Sequence, residues 1–207
     1  MSTIKLYRHP LSGHSHRVEL LLSLLNIEAE IIDVDLLNAE HKTPEFLEKN
    51  PLGQVPVLED GDVTIYDSNA ILIYLATQYD QDKKWLPSDP VGAALVAQYL
   101  SVAAGPVAFG PAAARLITVF GAPLDAQFAI ATAKNILTAL NNHLAKTKWL
   151  AAGHPTIADV ANYAYIAHAP EGNVDLSGFP HVKAWLQRVE SLTGFVPMQS
   201  TAVGLAA

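Results

Sequence analysis

The run Gly53-Gln54-Val55-Pro56-Val57-Leu58 (GQVPVL) decides how the first third of this chain is read. Val55, Val57 and Leu58 favour a strand, but proline has no N–H for a ladder and is confined to strand starts, edges and bulges. Two readings are open. Pro56 either opens an edge strand, or it follows a cis peptide bond, which costs only about 0.5–1 kcal/mol before proline. A cis bond would turn the N–H and C=O of Val55 away from the sheet. There they could pair with an incoming extended peptide, as in strand addition.

Upstream, Thr3–Tyr7 alternates and reads as a first strand, and Arg8–His14 carries Pro10, Ser12 and Gly13, which reads as a loop. Val18–Leu25 (VELLLSLL) is apolar nearly all round and predicts a buried helix; Ile31–Val34 predicts a second strand. A helix between two strands of similar length implies a βαβ unit with a parallel pair. Thr43-Pro44-Glu45 reads as an N-cap with proline at the first helical position, opening a short helix that ends at Asn50-Pro51. Downstream of Pro56, Val63–Tyr66 follows Val55–Leu58 across Glu59-Asp60-Gly61-Asp62, a hairpin turn. Asp67-Ser68 then opens a helix to about Tyr79. The expected order is β-α-β-α-β-β-α.

Beyond this the pattern changes. Asp80–Pro90 (DQDKKWLPSDP) is charged and proline-bearing, a linker by composition, and no convincing strand appears between it and Ala207. Helices are expected from Asp89-Pro90, over Leu124–Ala145 and over Pro180–Leu192, with breaks or kinks at Gly105-Pro106 and Gly110-Pro111. Thr156-Ile157-Ala158-Asp159 fits a capping box with Asp in place of the usual Glu. The fold class expected is α/β plus all-α: residues 1–79 form the α/β domain, 80–90 the linker and 91–207 an all-helical domain.

Of the 207 residues, half are hydrophobic and 16% are charged, so a folded core is expected. A formal charge of −7 argues against sequence-independent nucleic-acid binding, which needs a basic surface. Val102–Ala114 is apolar but short, interrupted by glycine and proline and closed by Arg115, so no membrane span is expected. Met1–Tyr7 lacks a leader pattern, which points to a cytoplasmic protein. There is no cysteine. Disulfides, thiolate metal sites and a cysteine nucleophile are excluded, so any sulfur chemistry needs a sulfur carried by the substrate.

Asp67 and Ser68 sit at a predicted helix N-terminus. Free amides and the helix dipole favour a carboxylate there, the Ser68 hydroxyl adds a donor and Asp67 faces an ammonium. Either residue alone is as readily an ordinary N-cap. Beside the proline strand, a peptide with a zwitterionic end becomes a sensible guest.

The stretch Asn50–Leu58 (NPLGQVPVL), followed by Asp67-Ser68-Asn69-Ala70-Ile71, resembles the glutathione site of cytosolic glutathione S-transferases, of a phi- and theta-like bacterial type with a serine active site. The layout resembles that family too: a thioredoxin-like domain, a linker, then a helical domain with "TIAD" before a buried helix. The resemblance implies that Val55, before the cis Pro56, pairs with the cysteinyl backbone of glutathione. It implies that Asp67 and Ser68 receive the γ-glutamyl head, and that His41, Lys42 and Gln54 meet the glycine carboxylate. Without the resemblance, His41-Lys42 reads as a solvated loop.

"HPLSGHSHRV" is similar to the phi-like pattern and gives Ser12 as the catalytic residue. Its hydroxyl ionises too high to act as a base, but it can donate to a thiolate. Lowering a thiol by about two units from about 8.5 needs about 2.7 kcal/mol. One charge-assisted hydrogen bond provides about 1.5–3 kcal/mol, aided by the helix N-terminus. Ser15 and Tyr7 are alternatives. Ser15 more simply caps the helix through Arg17 and Val18, and Tyr7 fits loosely. His9, His14 and His16 read as loop histidines with no clear metal spacing, so no metal is expected.

The activity implied is glutathione transfer: the glutathione thiolate attacks a hydrophobic electrophile, with the helical domain contributing the electrophile site. Leu11, Phe109, Arg115, Phe120 and His168 are lining candidates, each as readily core or surface. Alternatives are a non-catalytic glutathione-binding scaffold and a glutathione-dependent peroxidase or isomerase; the Ser-Ser-x-Cys run of zeta-like isomerases is absent. The resemblance also implies a homodimer.

Overall fold

The computed structural model describes residues 3–207. Four strands, β1 (Ile4–Arg8), β2 (Ala29–Asp33), β3 (Val57–Asp60) and β4 (Val63–Tyr66), form one mixed sheet in the order β2-β1-β3-β4. The parallel pair runs from Ile4↔Ala29 to Arg8↔Asp33, and its crossover is α1 (Gly13–Leu24). A parallel pair requires such a crossover. β3 is antiparallel to both β1 and β4. The helices α2 (Pro44–Lys49) and α3 (Ser68–Gln78) complete the βαβαββα order.

Strand alternation divides the core. The paired residues Tyr7 and Val57 point to one face, where Val57 clusters with Val34 and Phe46 and is flanked by Tyr7, Leu36 and Val55. Their neighbours Leu6 and Leu58 lie on the other face, fully buried like Leu20 and Leu21 of α1 and Ile71, Leu72 and Leu75 of α3. The chain divides into two compact units. One holds residues up to Lys83 together with Thr193–Gln199; the other holds Lys84–Leu192 and Ser200–Ala207. The late segment joins the first unit partly through Val196, whose carbonyl lies 2.8 Å from His16 Nε2.

Three expectations are corrected. The first helix begins at Gly13, not Val18, because Ser12 supplies the cap that a loop reading overlooked. His14 and His16 therefore lie in α1 rather than in a loop. β3 begins at Val57, not Val55, so Val55 precedes the ladder.

The second unit is helical: α4 (Pro90–Ala104), α5 (Ala113–Phe120), α6 (Ala126–Leu144), α7 (Ile157–Ala167) and α8 (Pro180–Glu190). Gly105 leaves helical geometry (φ −102°, ψ −105°), and the chain re-enters through a π turn, Ala108–Ala112, that contains Pro111. A wide turn tolerates a proline that cannot donate to the normal ladder. Gly110 in this turn sets the approach to α6, since a Cβ there would lie 2.7 Å from the Ala133 nitrogen.

Two buried carboxylates organise this unit. Asp159 completes the capping box of α7 by accepting from Thr156 N–H at 3.0 Å. Its other oxygen accepts from Leu150 N–H at 3.0 Å and from the Trp185 indole at 2.9 Å. Burial raises its pKa and these bonds oppose the rise. Glu171 pairs with buried Arg115 at 2.7 Å, lies 2.6 Å from His168 Nδ1, and accepts from both the Thr201 N–H and its hydroxyl. Burial alone would raise the Glu171 pKa, but the bonds from His168, Thr201 and Arg115 bring it down to about 2.

A glutamate held at about 2 when folded, against an ordinary 4.5, contributes stability that is complete above about pH 4.5 and is lost as pH falls toward 2. Glu171→Gln should lower stability at neutral pH by about 3 kcal/mol. It should also flatten the acid limb of the stability–pH curve in urea titrations between pH 7 and pH 3. Equal acid slopes in the two proteins would contradict this assignment.

Candidate active site

The strand register gathers four loops at one end of the sheet. Arg8 pairs with Asp33, Tyr7 with Val57, and Val57 with Tyr66. The segments that leave β1 toward Ser12, leave β2 toward His41 and Lys42, enter β3 through Val55-Pro56, and leave β4 at Asp67 therefore converge.

At the first loop, Ser12 is the N-cap of α1, half-buried, its Oγ accepting from Ser15 N–H at 3.2 Å. Among the described residues no acceptor takes the Ser12 proton. Ser15 does not cap the helix: it is fully buried, and its Oγ accepts from His9 N–H at 3.2 Å. Tyr7 turns to the opposite face, where its hydroxyl donates to Glu59 Oε2 at 2.9 Å, with Lys49 over the ring and Phe46 edge-on. Burial and the Glu59 carboxylate raise its pKa.

At the last loop, Asp67 caps α3 with φ +70°, an unusual backbone for a non-glycine residue. One carboxylate oxygen accepts from Asn69 N–H at 2.9 Å and Ala70 N–H at 3.0 Å. Asp67 is exposed, whereas Ser68 is buried. The Ser68 Oγ accepts from Arg17 Nη1 at 3.1 Å and lies 3.3 Å from His14 Nδ1. Arg17 also donates to Asn69 Oδ1 at 3.0 Å. These contacts tie the N-terminal turns of α1 and α3 together. Burial, then the neighbouring Arg17 charge, lower the His14 pKa to about 3, so its ring is neutral at ordinary pH.

The middle loops meet through Gly53. Lys42 Nζ donates to the carbonyls of Gly53 at 2.8 Å and Leu52 at 3.2 Å. Buried Asn50 holds the same turn: its Oδ1 accepts from Leu52 N–H at 3.0 Å and its Nδ2 donates to the Gln54 carbonyl at 2.7 Å. Gln54 is exposed, Val55 half-buried, and the Val55–Pro56 bond is cis. His41 Nδ1 is buried with no hydrogen-bond partner among the described residues. Burial and Lys42 lower its pKa.

Residue reading from sequence missed Arg17, His14 and Asn50. Arg17 was legible in part, because a cation at the mouth of an all-apolar helix needs a buried polar partner. Asn50 had a signal in the Asn-Pro pair, which favours a side-chain-stabilised turn. His14 had none. Of the lining candidates, Arg115 and His168 are bound to Glu171, whereas Phe109 and Phe120 are exposed.

Gly53 has φ +57°, and a Cβ there would lie 2.7 Å from the His41 carbonyl and 2.8 Å from Lys42 Nζ. Gly53→Ala should therefore lower stability by about 1–3 kcal/mol, from strain and displacement of the 41–42 backbone. Thermal unfolding measures this, and an unchanged midpoint would refute it.

The chain matches known proteins over most of its length. Residues 2–77 match the family model described as the glutathione S-transferase N-terminal domain, and residues 125–192 match that for the C-terminal domain. Glutathione S-transferase 3 of Zea mays is 33% identical over 208 residues, covering 94% of this chain and 92% of that protein. A glutathione S-transferase structure from Pseudomonas fluorescens aligns with a TM-score of 0.90 at 34% identity, over 96% of this chain and 100% of that one. A glutathione transferase homologue from Drosophila mojavensis, solved with bound glutathione, aligns with a TM-score of 0.82 at 31% identity, over 93% and 89% of the two chains.

Proposed function

The chain belongs to the glutathione S-transferase family, and we propose that it binds glutathione at this loop cluster and activates the thiolate for attack on a hydrophobic electrophile. The observation that carries the reading is Ser12. It is a half-exposed hydroxyl fixed at a helix N-terminus, its oxygen held by Ser15 N–H and its proton available to a ligand.

In this reading the Ser12 O–H donates to the glutathione sulfur. The bond, with the partial positive charge of the α1 N-terminus, favours thiolate over thiol, and the thiol proton leaves to solvent. Ser15 and Tyr7 are poorer donors, the first fully buried and the second bound to Glu59. The γ-glutamyl ammonium faces the Asp67 carboxylate oxygen that is outside the cap bonds, and its carboxylate takes Ser68 and the first amides of α3. The cysteinyl backbone pairs with Val55, which lies outside the ladder just before Pro56. The glycine carboxylate meets Lys42, whose ammonium has a third N–H beyond its two carbonyl bonds, with the His41 ring and Gln54 beside it.

Ser12→Ala should raise the thiol pKa of bound glutathione by about one to two units and cut turnover of a generic aryl halide at least about tenfold. Part of any stability loss will be the missing cap, about 1 kcal/mol. Ser12→Thr keeps both cap and hydroxyl and should retain most of the ionisation. Ultraviolet thiolate titration and turnover at saturating glutathione distinguish these outcomes. Wild-type protein that is held on glutathione-agarose but turns over neither aryl halides nor hydroperoxides would overturn the catalytic reading.

A homodimer forms part of the same proposal. Leu52 and Ile73 in the first unit, and Val91 in the second, are large apolar side chains left 61%, 42% and 69% exposed. Light scattering should give twice the mass of the 22.2 kDa chain, and the double variant Leu52→Glu, Val91→Glu should give a single one. A wild-type protein of single-chain mass would refute it.

A further inference from the structure

A serine with no exposed surface stands three residues beyond Ser12. Ser15 is 0% exposed and is the third residue of α1, a place where alanine has the higher helix propensity and leaves no hydroxyl to bury. Its N–H donates to Ser12 Oγ at 3.2 Å, and its side-chain oxygen accepts from His9 N–H at 3.2 Å. Ser12 N–H in turn donates to the His9 carbonyl at 2.9 Å. The three bonds close a ring through residues 9, 12 and 15. An ordinary capping box is closed differently: a long side chain at the third helical position reaches back to the N–H of the cap residue. Here the His9 carbonyl already takes that N–H, and the short Ser15 side chain bonds instead to the segment that has just left β1.

We infer that Ser15 is a positioning residue for the Ser12 hydroxyl. This rests on the Ser12 reading proposed above. The carbonyl of Arg8, next to His9, accepts from Val34 N–H at 2.8 Å, so one corner of the ring is fixed to the sheet. A second corner is the first turn of α1. Ser12 is the third, held at both its backbone N–H and its side-chain oxygen. With one lone pair of that oxygen committed to Ser15 N–H, the hydroxyl proton turns away from the ring. A donor that stabilises a thiolate must be held to within about 0.5 Å of its working position, because hydrogen bonds weaken steeply with length and angle. Removing the Ser15 hydroxyl opens the ring at the His9 corner but keeps the cap bond, which uses the Ser15 backbone. The helix start survives and the placement of Ser12 loosens. Thiolate stabilisation should fall, while tripeptide binding, proposed to rest on Val55, Asp67, Ser68 and Lys42, stays.

Ultraviolet titration of the bound glutathione thiol, together with steady-state turnover of an aryl halide, tests the inference. The proteins compared are wild type, Ser15→Ala, Ser12→Ala and the double variant Ser12→Ala, Ser15→Ala. Ser15→Ala should raise the thiol pKa by about half of the shift seen in Ser12→Ala, and lower kcat about three- to tenfold with KM for glutathione kept within about twofold. In the double variant the thiol pKa should equal that of Ser12→Ala, because Ser15 acts only through the hydroxyl already removed. A thiol pKa unchanged by Ser15→Ala, while Ser12→Ala shifts it, would make Ser15 a purely structural residue and overturn the inference alone. Shifts that add in the double variant would show Ser15 acting independently of Ser12 and overturn it too. No shift in Ser12→Ala would instead overturn the Ser12 reading, and this inference with it.

Discussion

The constraint on which the first unit depends is a register. Tyr7 opposite Val57, and Val57 opposite Tyr66, align the exit of β1, the entry of β3 and the exit of β4. A slip of one residue would turn Val57 to the face of Leu6 and break the Val34–Phe46–Val57 cluster. It would also move Ser12, Val55 and Asp67 relative to one another. Core packing and the assembly of the candidate site are thus one specification, to which the Arg17 bonds to Ser68 and Asn69 add a tie between α1 and α3.

Much of this was legible in the chain because it rests on local chemistry. The Thr43-Pro44 start, the Thr156–Asp159 box and the αβ order were read from caps and periodicity, and the structure has them. The start of α1 was not. The sequence Gly13-His14-Ser15-His16-Arg17 has no apolar period, so a helix there follows only from the Ser12 cap and from burial of Ser15, His16 and Arg17. The kink at Gly105 and Gly110 was foreseen, but not its form, since a π turn reflects the close approach to Ala133 across the helical unit. Long-range polar partners were the hardest to read. Arg17 meets Ser68 across 51 residues, and Asp159 meets Trp185 across 26. No spacing rule encodes such pairs.

In the proposed function Ser12 has two tasks that usually compete. As an N-cap it must accept from a backbone amide, which favours any small oxygen-bearing side chain. As a thiolate donor it must keep its proton free and remain reachable. A hydroxyl meets both conditions because it accepts through lone pairs and donates through hydrogen at once, whereas an aspartate at the same place could only accept. In that proposal the helix that the cap begins also places its amide dipoles near the sulfur. Structure and the proposed ionisation therefore draw on one residue.

The polar groups of the two units differ in how fully they are engaged. Asp159 and Glu171 are buried and each receives several donors, so their carboxylates are saturated and serve as internal joints. The loop cluster is built the other way. Ser12 has an uncommitted proton, Lys42 a third N–H, Asp67 an oxygen outside its cap bonds, and His41 Nδ1 no partner among the described residues. Each is nonetheless fixed by a neighbour: the α1 cap, the Gly53 carbonyl, the α3 amides or the short helical turn of residues 40–42. Polar groups that are held in place yet keep bonding capacity have their ordering entropy met by folding rather than by binding. In a chain without cysteine, that capacity suits a guest that brings both its own charges and its own sulfur.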